Sequence, residues 1–254
     1  MKILFTICGR AGSQGIKGKN LRKLCGKYLA HYAISTIDLY LAKHPEVEYD
    51  IVVNSDSLEL ISIVENNGLR PVSRVVRDPA LAGAVLGKIT AVNDCYEKMV
   101  ARNGDCYDMI VDLEITSPFR TVKNLEDVIN THWQKKADVT TTVVPARRNP
   151  YFNQLKQAER GFKKVIDSNY TARQQAPAIF DMNASIYAYK PAFLTSGNAV
   201  LNGYVEVVEM LDTGILDMDT EEDLMLVEAL GGYVFSHNEE MEEVRSHIPS
   251  TSNE

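Results

Sequence analysis

Short apolar runs of five or six residues alternate along the chain with longer segments whose apolar residues recur every three or four positions. Such runs predict strands, because they are too short for most helices, and the periodic segments predict helices. The predicted strands lie at 3–8, 50–54, 109–113 and 139–144, and the predicted helices at 29–43, 58–67, 88–101 and 124–135. This alternation predicts an α/β fold with a mostly parallel sheet covered by helices on both faces.

The pattern breaks between 147 and 177, where long polar side chains dominate and periodicity is weak. A segment of this length without elements of its own is uncommon in a compact domain. We therefore predict an inserted, hairpin-like arm over 147–177. Regular strands resume at 185–189 and 204–210, a helix follows at 221–230, and the charged tail 237–254 is expected to be loosely ordered.

The predicted arm carries apolar side chains that it cannot all bury against itself. They are Tyr151, Phe152, Leu155, Phe162, Val165 and Ile166. Exposed apolar clusters commonly mark an interface, and oligomers most often pair with two-fold symmetry. We predict a homodimer in which each arm reaches over the other subunit and brings Arg173 close to its active site. An arm folded back on its own domain is the alternative.

Composition narrows the class of protein. A chain of 254 residues with 45% apolar content suits a single α/β domain spanning the whole sequence. The net charge of -7 argues against nucleic-acid binding, so any anion site must be a local basic cluster. The four cysteines show no CxxC spacing and are expected to be reduced thiols in a cytoplasmic protein. We expect no signal peptide and no membrane segment, because the apolar runs are too short.

The first predicted strand leads directly into the stretch GRAGSQGIKGKN at 9–20. Ligands of α/β sheets bind beyond the carboxyl ends of the strands, and successive glycine N–H groups can form an anion nest there. Arg10, Lys17 and Lys19 add fixed positive charge, and Ser13 adds a hydroxyl donor. The glycine spacing fits neither the Walker A motif nor the dinucleotide-binding motif. The stretch predicts a loop that binds the phosphates of a nucleoside triphosphate; a basic surface loop is the alternative.

Two further stretches carry carboxylates near predicted strand ends. Asp112 and Glu114, in VDLEITSPFRT, are two positions apart and should face the same side of their strand. Asp217 and Asp219, in LDMDTEED, would face one way if the backbone is extended, which suits Mg²⁺. A solvated acidic turn is the alternative for this pair. Thr220 and the aspartate three positions later predict a helix N-cap pair.

Together these stretches resemble the acylneuraminate cytidylyltransferases, which make CMP-activated sialic acids. The resemblance rests on RAGSQ at 10–14 closing on Lys19-Asn20, TSPFR at 116–120, DMDT at 217–220 and NASIY at 183–187. It extends from about residue 3 to about residue 230 and is most similar to the branch that activates legionaminic acid. Gln14 stands where the family commonly has lysine, and Glu114 where sialic-acid enzymes commonly have glutamine.

The resemblance implies a three-layer, Rossmann-like nucleotidyltransferase fold with a dimerisation arm. It also implies that CTP and a nine-carbon 2-keto sugar acid react to give a CMP-sugar and pyrophosphate, with Mg²⁺ as cofactor. The residues implied as catalytic are Arg10, Lys19, Asp217 and Asp219, of which the two aspartates would be the metal ligands. The residues implied to bind CTP are Arg10, Gly12, Ser13, Gln14, Lys19, Asn20 and Arg77. The residues implied to bind the sugar acid are Glu114, Thr116, Ser117, Arg120, Arg173 and Asn183.

Three other functions stay open on the sequence. The first is a sugar nucleotidyltransferase of the same fold that uses another base or sugar. The second is a catalytically silent binding protein, for which Gln14 is the best support. The third, an NAD-dependent oxidoreductase, is disfavoured by the glycine spacing.

Overall fold

The computed structural model describes residues 1–12, 15–78, 81, 87–104, 106–213, 218 and 220–250. Its strands are β1 (Lys2–Cys8), β2 (Lys23–Leu24), β3 (Lys27–Tyr28), β4 (Glu48–Ser55), β5 (Ser73–Val76), β6 (Met109–Leu113), β7 (Val139–Pro145), β8 (Leu155–Gln157), β9 (Phe162–Lys164), β10 (Phe180–Tyr189) and β11 (Val205–Glu209). Its α-helices are α1 (Leu29–Lys43), α2 (Leu58–Glu65), α3 (Lys88–Asn103), α4 (Val122–Lys135), α5 (Pro191–Leu194), α6 (Glu221–His237) and α7 (Glu239–His247). None of the helices in these described ranges is long and apolar enough to cross a membrane.

A seven-stranded sheet in the order β11-β7-β10-β6-β1-β4-β5 forms the centre of the molecule. Every neighbouring pair is parallel except those that β10 makes with β6 and β7. The predicted mostly parallel sheet is therefore confirmed.

Helices cover both faces of the sheet, as predicted. In β1, Ile3, Phe5 and Ile7 join one buried cluster with α1, α2 and α4, while Leu4 joins a second cluster with α3. The alternation follows from the period of two of a strand, which sends successive side chains to opposite faces. The result is a three-layer, Rossmann-like arrangement.

The expectation of a loosely ordered tail over 237–254 is wrong for its described part, because residues 239–247 form α7. Met241, Val244 and Ile248 are buried in the same cluster as α1. Ser35 Oγ donates to Val244 O at 2.6 Å, which fixes the helix to α1. The apolar spacing in this short acidic segment is sufficient to dock it once α1 offers a groove.

The predicted arm contains an antiparallel hairpin made of β8 and β9, which confirms its hairpin-like form. Three of its apolar side chains stay accessible: Leu155 is 63% exposed, Phe162 is 71% exposed and Ile166 is 39% exposed. They have apolar surface available for a partner, and the homodimer stays a prediction.

Candidate functional site

The carboxyl ends of β1, β4 and β6 meet at one edge of the sheet. They do so because the three strands run parallel in direct register, with Thr6 opposite both Val52 and Asp112. Gly9 follows β1 at this edge and its N–H donates to Asn54 O at 3.1 Å. A Cβ on Gly9 would lie 2.6 Å from Leu60 Cδ2 and 2.9 Å from Ile115 Cδ1, so a larger residue there would require these buried side chains to shift.

Side-chain hydrogen bonds hold the described part of the glycine loop. Ala11 N–H donates to Asp56 Oδ1 at 2.7 Å, and Asn20 Nδ2 donates to Arg10 O at 3.0 Å. Gly18 takes a left-handed conformation with φ of 63°, and a Cβ on Gly12 would meet no atom of the described residues within 4 Å. The backbone at Gly12 is therefore open to a ligand.

For all the loop residues predicted to bind the nucleotide, that role stays a prediction. Ser13 and Gln14 lie outside the described residues. Asn20 uses its amide to hold the loop, which is a structural role that sequence reasoning did not assign. Arg10 and Lys19 both lie in the described part of the loop at the carboxyl edge of the sheet and are partly buried.

Arg77 lies at the same edge and is held by a buried asparagine. Its Nε donates to Asn54 Oδ1 at 2.6 Å and its Nη2 to Asn54 O at 3.2 Å. Asn54 Nδ2 in turn donates to Asp94 Oδ2 at 2.9 Å on α3. Asn54 therefore links Arg77, α3 and the first residue of the glycine loop, and sequence reasoning missed it. Contact of Arg77 with a nucleotide stays a prediction.

Asp112 and Glu114 share one partner, as their predicted common face requires. The Lys88 ammonium lies 2.6 Å from Asp112 Oδ2 and 2.7 Å from Glu114 Oε2. Thr6 Oγ1 donates to Asp112 Oδ1 at 2.7 Å. Burial alone would raise the pKa of Glu114, but the nearby ammonium outweighs it and holds that pKa below its usual range. Glu114 is therefore an ionised acceptor at neutral pH. Sequence reasoning missed Lys88, whose only local signal is a charge at a helix start.

Arg120 is buried, with 1% of its surface exposed, and it holds the turn that follows β6. Its Nε donates to Ser117 O at 2.9 Å, and its Nη2 donates to the carbonyls of both Glu114 and Ser117. Burial lowers the pKa of Arg120 to about 10, against the opposing effect of Glu114 and Asp112. Its observed role is to fix the backbone of the turn; direct contact with substrate stays a prediction.

Thr116, Ser117 and Asn183 are brought together, as their predicted shared role requires. They line one cleft with Asp212 and Thr213. Thr116 also donates from its hydroxyl to Glu114 Oε1 at 3.2 Å, which joins the cleft to the carboxylate.

Asn183 is held in place by an irregular stretch of β10. The register of β10 against β7 shifts between Met182 and Tyr187, and Ala184 within it has a φ of 52°. Thr142 Oγ1 donates to Asn183 Oδ1 at 2.6 Å. Bulges that re-aim side chains are common next to binding sites.

Arg173 lies apart from this cleft, at the base of the arm. Its Nη2 donates to Ala146 O at 2.6 Å. With Arg147 and Arg148 it lines a separate cavity of about 770 Å³. Within one subunit, therefore, Arg173 does not line the cleft that contains Asn183, and its action on a second subunit stays a prediction.

The predicted metal ligands, Asp217 and Asp219, lie outside the described residues. In the parts of the chain that the structure does describe, there is no cluster of three or more potential metal-binding side chains. Thr220 is described, and the predicted helix N-cap is confirmed. The Asp223 N–H donates to Thr220 Oγ1 at 3.1 Å, and the Thr220 N–H donates to Asp223 Oδ2 at 2.8 Å. Met218 is 1% exposed, so the fold holds the residue between the two aspartates.

Comparison with known proteins shows the family of the chain. A family model described as cytidylyltransferase matches residues 4–245. The chain is 33% identical over 229 residues to the post-translational flagellin modification protein B of Campylobacter coli, covering 90% of this chain and 94% of that protein. It is 31% identical over 230 residues to the CMP-N,N'-diacetyllegionaminic acid synthase of Campylobacter jejuni, with the same shares covered.

A solved structure of CMP:2-keto-3-deoxy-manno-octonic acid synthetase, complexed with CTP, shares the fold. Its TM-score is 0.65 at 16% identity, and the match covers 92% of this chain and 99% of that one. Taken with the family match over nearly the whole length, the chain belongs to the cytidylyltransferase family and is a nucleotidyltransferase enzyme.

Proposed function

We propose that the protein activates a sialic-type, nine-carbon 2-keto sugar acid with CTP, and that the sugar is legionaminic acid or a close relative. The proposal rests on one observation: a basic loop and a carboxylate with polar neighbours lie at the same edge of the sheet. A basic glycine loop follows β1, and an ionised carboxylate with hydroxyl and amide neighbours follows the adjacent β6. The similarity to a CMP-N,N'-diacetyllegionaminic acid synthase supports the choice of sugar.

In the proposed reaction the anomeric hydroxyl of the sugar acid attacks the α-phosphate of CTP. A new bond forms between that oxygen and phosphorus, the bond from phosphorus to the bridging oxygen breaks, pyrophosphate leaves, and the hydroxyl proton is released to solvent. Such chemistry depends on positioning and charge neutralisation more than on a strong nucleophile. The glycine loop, with Arg10, Ser13, Gln14 and Lys19, would hold the triphosphate, while Asn20 and Arg77 would contact the nucleoside.

Asp217 and Asp219 are the residues that we propose to hold Mg²⁺. Two carboxylates leave coordination positions for water and phosphate, which suits this ion. When bound, the metal would supply positive charge at the α-phosphate. We place the reaction in the cytoplasm, where CTP is made.

We further propose a homodimer in which Arg173 serves the active site of the other subunit. The exposed Leu155 and Phe162 of the hairpin support a contact of the arm with a partner. Mixing Arg173→Ala subunits with Asp217→Asn subunits tests it, because each mixed dimer would then contain one complete site. Activity that neither parent has is the expected result; a mixture as inactive as its parents after proven subunit exchange would refute the role.

A pyrophosphate-release assay tests the function itself. CTP, UTP, GTP and ATP are each offered with a panel of nonulosonic acids and with sugar phosphates. Release with CTP and a nonulosonic acid is expected. Release with another nucleotide or with a sugar phosphate would indicate a different sugar nucleotidyltransferase, and no release with any pair would indicate a binding protein.

A further inference from the structure

The position of Lys88 is unfavourable for the helix that carries it. It is the first residue of α3, where the N-terminal end of the helix dipole repels a cation. Its side chain is also partly withdrawn from water, with 27% of it exposed. The contacts with Asp112 and Glu114 offset both effects, so the lysine is placed for these two carboxylates rather than for the helix.

The two carboxylates differ in what they can do for a ligand. Asp112 is fully buried and is engaged by Thr6 and Lys88. Glu114 keeps 20% of its side chain exposed at the end of the strand. Asp112 therefore balances the ammonium, while Glu114 is the carboxylate that can meet a ligand.

Glu114 is held through both of its oxygens. Lys88 contacts Oε2, and Thr116 contacts Oε1 through its hydroxyl at 3.2 Å and its amide at 3.4 Å. These contacts fix the plane of the carboxylate and leave part of its acceptor capacity for a ligand. An ionised carboxylate only accepts hydrogen bonds, so the ligand group placed there must donate.

We propose that Lys88 is a positioning residue for sugar-acid recognition, which holds Glu114 in one orientation as an acceptor-only carboxylate. The site then selects a sugar acid that presents an N–H or O–H donor to Glu114, as an acylamino or hydroxyl substituent does. This inference rests on the proposed function for its substrate.

Other ionisable groups surround the pair and must be considered in its test. Arg120 lies in the following turn, Tyr187 and Tyr189 lie on β10, and Cys8 lies on β1. A substitution at Lys88 leaves these side chains in place. The Lys88 ammonium also lowers the pKa of Tyr187, but burial raises that pKa more, so the phenol stays neutral while Glu114 titrates. A change in Glu114 that accompanies loss of the ammonium can therefore be assigned to Lys88.

The test compares Lys88→Met, Lys88→Arg, Glu114→Gln and the double variant Lys88→Met/Glu114→Gln. Lys88→Met leaves the carboxylates of Asp112 and Glu114 without the ammonium. The double variant restores the original net charge of positions 88, 112 and 114 taken together. The exposed Lys123→Met on α4 is the matched control, because its ammonium pairs only with Asp127 in the described structure. Steady-state KM values for the sugar acid and for CTP are measured separately.

For Lys88→Met we expect the sugar-acid KM to rise about tenfold or more, with the CTP KM changed by less than about threefold. Lys88→Arg should recover part of the loss. In the double variant the two substitutions should be non-additive, because Lys88 acts through Glu114. An equal rise in both KM values, or additive losses, would overturn the inference, and so would a lowered melting temperature with both KM values unchanged.

A second measurement does not depend on turnover. The Glu114 carboxyl carbon, assigned by the signal that Glu114→Gln removes, is titrated by NMR in wild type and in Lys88→Met. We expect its pKa to rise by at least about one unit in the variant. An unchanged pKa would overturn the inference, whereas a wild type that is inactive with every nucleotide and sugar would overturn the proposed function alone.

Discussion

Replacing Arg120 by methionine tests how the turn at the end of β6 is held. Methionine keeps most of the buried volume but removes every donor, so the carbonyls of Glu114 and Ser117 lose their buried partner. Hydrogen bonds to a charged group contribute about 1.5–3 kcal/mol each, and leaving a buried carbonyl unpaired adds a desolvation penalty. Relief from burying the guanidinium offsets part of this loss.

The expected net effect is a loss of roughly 3–5 kcal/mol in the free energy of unfolding. For a chain of this size that corresponds to a fall in melting temperature of roughly 6–20 °C. Arg120→Lys should recover less than half of the loss, because an ammonium lacks the planar fork that reaches both carbonyls.

Urea unfolding and thermal melting measure the effect, with Arg147→Met as the matched control. Arg147 is 64% exposed and pairs with Asp212 at the surface, so its replacement should leave the free energy of unfolding nearly unchanged. If Arg120→Met unfolds within about 1 kcal/mol of wild type, the guanidinium does not hold the turn and the reasoning fails.

Three further predictions concern the glycine loop, the metal ligands and the tail. Alanine at Arg10 or at Lys19 should weaken CTP binding about tenfold, with a salt-dependent affinity in wild type, as calorimetry would measure; a double variant that binds CTP normally would make the loop a surface feature. Asparagine at Asp217 or at Asp219 should lower Mg²⁺-dependent turnover about a hundredfold with an unchanged circular-dichroism spectrum, and near-normal turnover in both variants would remove them from the metal site. Met241→Ala should lower the free energy of unfolding in urea by about 2–4 kcal/mol, whereas Met225→Ala, at an exposed position of α6, should lower it by less than about 0.5 kcal/mol. Equal small effects would mean that α7 is not docked in solution.

The sequence by itself determined features that depend on neighbouring residues. Apolar runs and helical periods placed the central strands and most helices, because burial on a sheet or a helix face repeats with the period of the element. The spacing of Asp112 and Glu114 put them on one face for the same reason, and both now contact one ammonium. The cap formed by Thr220 and Asp223 was equally local, since it spans a single helical turn.

Only the tertiary structure decided which distant groups became partners. Lys88 meets Glu114 across 26 positions of the chain, and Asn54 meets Arg77 across 23, because α3 packs on the sheet and β5 lies next to β4. No local period encodes such a pairing. The tail shows the same limit: its apolar spacing is short and weak, and Met241 is buried only because α1 supplies a groove for it. Local patterns fix the period of an element, whereas the energy of a buried charge or a docked helix depends on what the fold places opposite it.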